Sequence, residues 1–503
     1  MATAEETDAP AAYEELLDQY ERLTYVGGAS GVLSWDQQVM MPEGGAPARS
    51  KQLSALSAIH HELLTDDDVG EWLDELDDAD LTGEQDAVVR EIRRQYERAN
   101  AVPVELVEEI SETSSEALQV WEDAKAEDDF SAFAPYLEDL VELKREYAEH
   151  IDPDADPYEV LFADYEPYLD LDTAERVLTR LRDELVPLID ELNDADADLA
   201  QPFDGTYPED AQEALSRDVL EKVDYDFERG RLDTSSHPFT SGNQFDTRIT
   251  TRFDESDPLG ALMSTVHEYG HAQYNLGVPQ EAYGTPLGES RDLTVHESQS
   301  RLWENHIGRS RAFYDLVLDD LKEHFDGIDD ASVEDVYEAA NQIYPENLIR
   351  VEADELTYHM HIILRFEIER DLISGDLDVE DVPDVWNEKM EEYLGVTPDT
   401  DAEGCLQDIH WSHGNFGYFP TYSLGSVLAA QLYASADEDI DDLDAKVAAG
   451  DFDDLHDWLG ENVHRHGKRY TTPDLVEEAT GEPYTADYFL DYAESKFRDL
   501  YDL

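Results

Sequence analysis

Apolar residues along this chain recur at helical rather than strand spacing, and that pattern limits the fold more than any other feature. From Tyr13 onward, Leu16, Leu17, Tyr20 and Leu23 fall at i, i+3 and i+4 between acidic residues, the stripe of an amphipathic helix. Residues 84–101, 104–125, 172–194, 311–324, 333–343 and 361–374 repeat it, whereas alternating Val-rich runs bounded by turn dipeptides are scarce. A small strand pair is expected around 235–252, where turn residues mix with β-branched and aromatic ones. Loops are short and acidic (near 77, 194 and 437), and no repeat, glycine-rich linker or sharp boundary divides the chain. The expectation is one large all-α body with two lobes facing each other.

Charge then narrows the partners. Asp plus Glu number 123 against 34 Lys plus Arg, a formal net charge of −89. Such acidity often marks disorder, but 7 Trp, 27 Tyr and 16 Phe spread over the length indicate a folded chain with an acidic coat. That coat repels nucleic acid and anionic membrane surfaces, both of which require basic groups. Only nine of the basic residues are lysine. Lys-poor, Asp/Glu-rich composition resembles that of halophilic proteins from salt-accumulating cells, where self-repulsion is screened over about 3 Å at 1 M salt. Cys405 is the single cysteine, so no intrachain disulfide forms. The segment MATAEETDAP has neither the basic nor the apolar region of a secretory signal, and no apolar run approaches 18 residues. A soluble, cytoplasmic protein is expected.

The most informative segment is SDPLGALMSTVHEYGHAQYNLG, residues 256–277. Asp257 can cap a helix whose first position is Pro258, where the missing N–H costs nothing. A helix from there to about Asn275 places His267 and His271 on one face, four residues apart, with Glu268 beside them. Two neutral imidazoles at that spacing can chelate zinc while the glutamate handles the attacking water: this is H-E-x-x-H. The longer metzincin form fails, because it needs Gly at 274 and His at 277 where this chain has Tyr274 and Gly277. A third ligand from a second helix is the other solution. Residues 293–307 read as that helix, and Glu297 and Glu304 are both candidates. Periodicity does not choose between them, and Glu304 reads as an ordinary helix-surface acid.

Further motifs extend the picture. They are His237-Pro238-Phe239, Asp246-Thr247-Arg248-Ile249-Thr250, His267-Glu268-Tyr269-Gly270-His271, His296-Glu297-Ser298-Gln299, Ile349-Arg350-Val351-Glu352-Ala353-Asp354, and Gly404-Cys405-Leu406-Gln407-Asp408-Ile409-His410-Trp411. In this order the chain resembles the M32 family of zinc metallocarboxypeptidases, and residues 34–53 look like that family's opening. The resemblance implies an all-α, two-lobed metallopeptidase with a deep central groove, similar to neurolysin and angiotensin-converting enzyme. It implies one peptidase domain over 1–503, with N-terminal helices (1–125) covering the groove and the zinc and substrate site within 230–425. It further implies broad-specificity removal of single C-terminal residues from peptides, usually by a homodimer, and it selects Glu297 as the third ligand.

Roles follow from these two sources together. Zinc, with cobalt a workable substitute, would sit on His267, His271 and Glu297, one ion per subunit, with Glu268 as the base. Related peptidases place a His and a Tyr after the metal site to stabilise the tetrahedral intermediate, which makes His410 and Tyr422 candidates, with Tyr418 close behind. An exopeptidase must also bind a free α-carboxylate, a task for the planar fork of arginine. Arg350 and Arg248 are the candidates, with Asp246 and Asp354 expected to orient the arginines or the ligand histidines. His237 and His296 are expected as hydrogen-bonded scaffolding, and Cys405 is not expected to act as a nucleophile.

Overall fold

The computed structural model describes residues 9–195 and 197–503. The first eight residues, part of the segment read above for a signal, lie outside them, as does Asp196 in the acidic loop near 194. Among the described residues twenty α-helices surround one three-stranded sheet, and no helix is long and apolar enough to cross a membrane.

The helical stripes become the buried faces. Helices Ala11–Val39, Asp67–Leu76 and Gly83–Ala101 share an apolar cluster containing Leu16, Tyr20, Leu23, Leu73, Val88 and Ile92. Beyond Leu23 the first helix buries only Trp35, so its second half leaves the cluster and forms a wall elsewhere. Thr82 and Gln85 form a reciprocal capping box at the start of Gly83–Ala101, satisfying backbone groups the helix cannot satisfy itself. A second, larger core runs from Ala117 to Leu500 and includes the metal-motif helix through Val266, Tyr269 and Tyr274. A buried ion pair ties helix Gly83–Ala101 to the segment before Leu293: Arg291 donates through Nη1 and Nη2 to Glu91 at 2.9 and 3.0 Å.

Two local expectations change. Instead of a strand pair there are three strands, β1 (Gly230–Thr234), β2 (Thr240–Asn243) and β3 (Asp246–Thr251), in the order β1-β3-β2. β2 and β3 are antiparallel, and β1 lies parallel on the other side of β3. The sequence GRLDT offers only one apolar residue, Leu232, and pairing with β3 rather than side-chain pattern makes it a strand. The expected helix 293–307 is α-helical over Leu293–Arg301 and π-helical over Leu302–Gly308, with every residue of the π segment buried. Such π segments occur often at functional sites.

Candidate active site

Helix Pro258–Gly277 starts as its sequence demands, with the Asp257 carboxylate accepting from Gly260 N at 2.9 Å. One turn separates His267 from His271, whose ring centroids lie 5.0 Å apart. Helix Leu293–Arg301 packs against this helix at Gly270. A Cβ there would stand 2.5 Å from Gln299 O and 2.6 Å from Ser300 Cα, so only glycine permits the approach. On the far side Gly425 of helix Pro420–Asp439 plays the same part, since its Cβ would fall 2.5 Å from Glu297 Cβ and Cγ. Gly270→Ala is therefore expected to overpack the junction and destabilise the fold by about 1–3 kcal/mol in urea titrations. An unchanged midpoint would disprove the tight approach.

This packing delivers Glu297 to the histidines. Its Oε2 is 3.3 Å from His271 Nε2 and 3.8 Å from His267 Nε2, and one donor atom from each residue lies within 4.8 Å of the others. Tetrahedral coordination at bond lengths of about 2.0–2.2 Å puts neighbouring donors about 3.3–3.6 Å apart, so the set fits a small divalent ion. Glu297 Oε1 is taken by Arg301 Nε at 2.8 Å, which leaves Oε2 to face the histidines. Burial disfavours charge on Glu297, but Arg301 and His267 outweigh it and hold the carboxyl well below its ordinary range.

Glu304 is not the surface acid expected from its helix. It is buried, and its Oε2 lies 2.8 Å from His267 Nδ1 while Arg301 (3.1 Å) and Arg309 (3.1 Å) grip the carboxylate. An ionised Glu304 accepts from Nδ1–H and so turns the Nε2 lone pair of His267 toward Glu297. The seven-residue spacing from Glu297, two helical turns, was the signal for it. His296 stacks on His271 at 4.5 Å and places Nε2 3.2 Å from Asn275 Oδ1; burial and the neighbouring His271 push its pKa down to about 3, leaving it neutral.

Glu268 is buried beside the ligands, its Oε2 2.7 Å from the Thr240 hydroxyl at the start of β2. No motif marked Thr240, because only the sheet brings it to this helix. β2 is an edge strand of the sheet, and with the first helix (Gly27, Gly28, Trp35) it borders a hollow of about 510 Å³. A second hollow, lined by Tyr165, Asp292 and His296, shares Ser290 and Lys468 with the first.

The remaining candidates divide. Arg350, His410, Tyr418 and Tyr422 come together: Arg350 lies 5.4 Å from the Tyr422 ring, Tyr418 5.4 Å from Tyr422, and His410 5.3 Å from Tyr418. Arg350 donates through Nε and Nη2 to Asp408 at 3.0 and 2.8 Å and through Nη1 to the Tyr358 hydroxyl at 3.1 Å. The face of Tyr358 also receives Arg301, so this group is contiguous with the Glu297 side. Arg248 sits apart on β3, clamped by Asp246 at 2.9 and 2.6 Å and stacked on Trp35 at 4.2 Å. Asp354 orients neither an arginine nor a ligand histidine. It caps helix Thr357–Ser374 by accepting from Leu356 N and Thr357 N, because a helix start beside it supplies free N–H groups. His237 is exposed on the loop between β1 and β2. Cys405 is buried, and burial drives its thiol well above the ordinary value, so it stays protonated.

Known proteins share this fold and family. The family described as Carboxypeptidase Taq (M32) metallopeptidase matches residues 15–497. Thermostable carboxypeptidase 1 of Thermus thermophilus is 38% identical over 98% of this chain and 99% of its own length. The thermostable carboxypeptidase 1 of Pyrococcus furiosus is 39% identical over 96% and 98%. A crystal structure of an M32 carboxypeptidase from Deinococcus radiodurans superposes with a TM-score of 0.95 at 38% identity, covering 98% of this chain and 100% of that one.

Proposed function

Because the chain belongs to the M32 metallopeptidases, and so is a metal-dependent carboxypeptidase acting on peptides, we propose that its ion is zinc, one per subunit, on His267, His271 and Glu297. The observation that carries this reading is the convergence of two imidazole nitrogens and one carboxylate oxygen beside a glutamate held through one oxygen by Thr240. Two nitrogens with one oxygen suit zinc or cobalt better than magnesium or calcium. When bound, such an ion supplies Lewis acidity to the attacking water and the scissile carbonyl.

The chain's own residues do the rest. Glu268, steadied by Thr240, takes the proton of the attacking water and returns it to the leaving amine. His410 is pushed down to about 4, chiefly by burial, and so is a neutral imidazole that can donate from one nitrogen. Tyr422 is raised well above its usual pKa by burial and keeps its phenolic proton. Both donate to the oxyanion as it develops, and Tyr418 stands 5.4 Å from Tyr422 as the alternate donor. Arg350 binds the substrate α-carboxylate, its fork pre-set by Asp408. Arg248, already clamped by Asp246, contacts substrate further from the bond cut. Charges lining the larger hollow are mostly paired, Arg248 with Asp246 and Lys468 with Glu289 at 2.6 Å, which supports broad side-chain tolerance despite the acidic exterior. A homodimer is part of the same reading, supported by the family likeness.

The test is hydrolysis of a short free-acid peptide and its C-terminally amidated twin by zinc-loaded enzyme in molar salt, followed by mass spectrometry. Loss of one C-terminal residue at a time from the free acid, and none from the amide, is expected. Equal cutting of both would overturn the assignment of Arg350.

The coat carries a separate expectation. Lowering salt from 1 M to 0.1 M lengthens the screening distance from about 3 to about 10 Å. With a net charge of −89 the melting temperature should fall on that dilution; a Tm that holds or rises would remove the halophilic reading.

A further inference from the structure

We infer that Glu369 is a positioning residue, a buried latch that fixes the segment carrying His410 and Tyr418 in its working shape. Residues 404–419 contain no α-helix, only a 3-10 turn at His410–His413, so local hydrogen bonding alone leaves this stretch under-determined. Two side chains of helix Thr357–Ser374, four residues apart on one face, grip it from below. Arg365 Nε donates to Asp408 Oδ2 at 2.6 Å. Glu369 accepts from Trp411 Nε1 at 2.9 Å on one oxygen and from Gly417 N at 3.0 Å on the other. Trp411 and Gly417 are the immediate chain neighbours of His410 and Tyr418, so the two fastened residues are each one position removed from a side chain that needs placing.

Glu369 is fully buried, and a third donor, the Tyr158 hydroxyl, meets it at 3.0 Å from helix Pro157–Phe162. The indole and the backbone amide can only donate, so the latch is complete when both carboxylate oxygens are free to accept. A proton on Oε2 can be donated to the Tyr158 oxygen, but it leaves the indole and the amide facing a neutral carboxyl and so weakens both of their charge-assisted bonds. The ionisable groups around it are Tyr158 and Tyr165 from the side of helix Pro157–Phe162 and Arg365 on its own helix, already engaged by Asp408. No second acid faces it among these. Burial opposed by the three donors leaves its carboxyl pushed up to about 7, which puts latch closure within the neutral range. The latch closes as pH rises through that value and loosens below it. The consequence for turnover rests on the roles proposed above for His410 and Tyr418; the latch itself does not.

Hydrogen–deuterium exchange of the zinc-loaded enzyme, read on peptides spanning 409–419 at pH 6 and pH 8 and corrected for intrinsic rates, tests it. Wild type should lose about tenfold protection at pH 6, the scale of one hydrogen bond. Glu369→Gln should exchange fast at both pH values while helix Pro258–Gly277 stays protected, with kcat down about tenfold and KM little changed. Trp411→Phe, which removes one donor and keeps the carboxylate, should loosen the same peptides at pH 8. Protection of 409–419 that is independent of pH in wild type and unaltered in Trp411→Phe would overturn the latch, whether or not Glu369→Gln folds. Loosening of the segment in Glu369→Gln without any loss of kcat would support the latch and instead remove His410 and Tyr418 from the mechanism.

Discussion

Glu268→Gln should lower kcat about 10³-fold while leaving metal content and KM nearly unchanged, since general acid–base catalysis contributes about 10²–10⁴-fold. The variant is isosteric, and the Thr240 hydroxyl 2.7 Å from Oε2 still has an amide oxygen to meet. None of His267, His271 or Glu297 loses a partner, for Glu297 leans on Arg301 and His267 on Glu304. What disappears is the carboxylate proposed to take a proton and return it. Metal analysis on the same sample separates loss of the base from loss of the ion. A kcat within tenfold of wild type at full metal occupancy would sink the assignment.

Asp408→Asn should be the most destabilising single change near the site, by about 3–5 kcal/mol, because it strips two buried arginines of their shared counter-charge. Arg350 and Arg365 both bind this carboxylate, and their side chains are 8% and 0% exposed, so water cannot replace it. Burial alone would raise the Asp408 pKa, yet Arg365 and Arg350 hold it well below the usual carboxylate range. A depressed folded pKa contributes stability that is present above the unfolded value, about 3.9, and is lost as pH falls through the folded one. Urea midpoints in molar salt should therefore separate wild type from variant across neutral pH, with the gap closing below about pH 4. Equal midpoints at pH 7 would show that the arginines find other partners.

Both predictions involve motif residues, yet their physical content differs in origin. The imidazole pair was legible because a helix converts a spacing of four into one face, and Asp257-Pro258 marks where that helix begins. Arg350 and Asp408 were legible only as separate motifs; that they form one ion pair across 58 residues emerges from packing. Asp354 was misplaced because its motif neighbours suggested an orienting partner, whereas a helix start three residues on claimed it. Glu304 was misread for a related reason: an acid on an acidic helix looks solvated until the helix meets His267.

The order of the residues, with nothing else, sets the helical class, the acid coat and the H-E-x-x-H face, since each depends on neighbours within about two turns. Which acid lies behind which histidine, why Thr240 reaches Glu268, and that Glu369 holds Trp411 and Gly417 belong to the folded molecule. These contacts join residues 28 to 48 positions apart, and no local periodicity encodes them. Glycines at 270 and 425 let three helices close tightly around Glu297, and each buried polar group along these contacts is met by the partner packed against it.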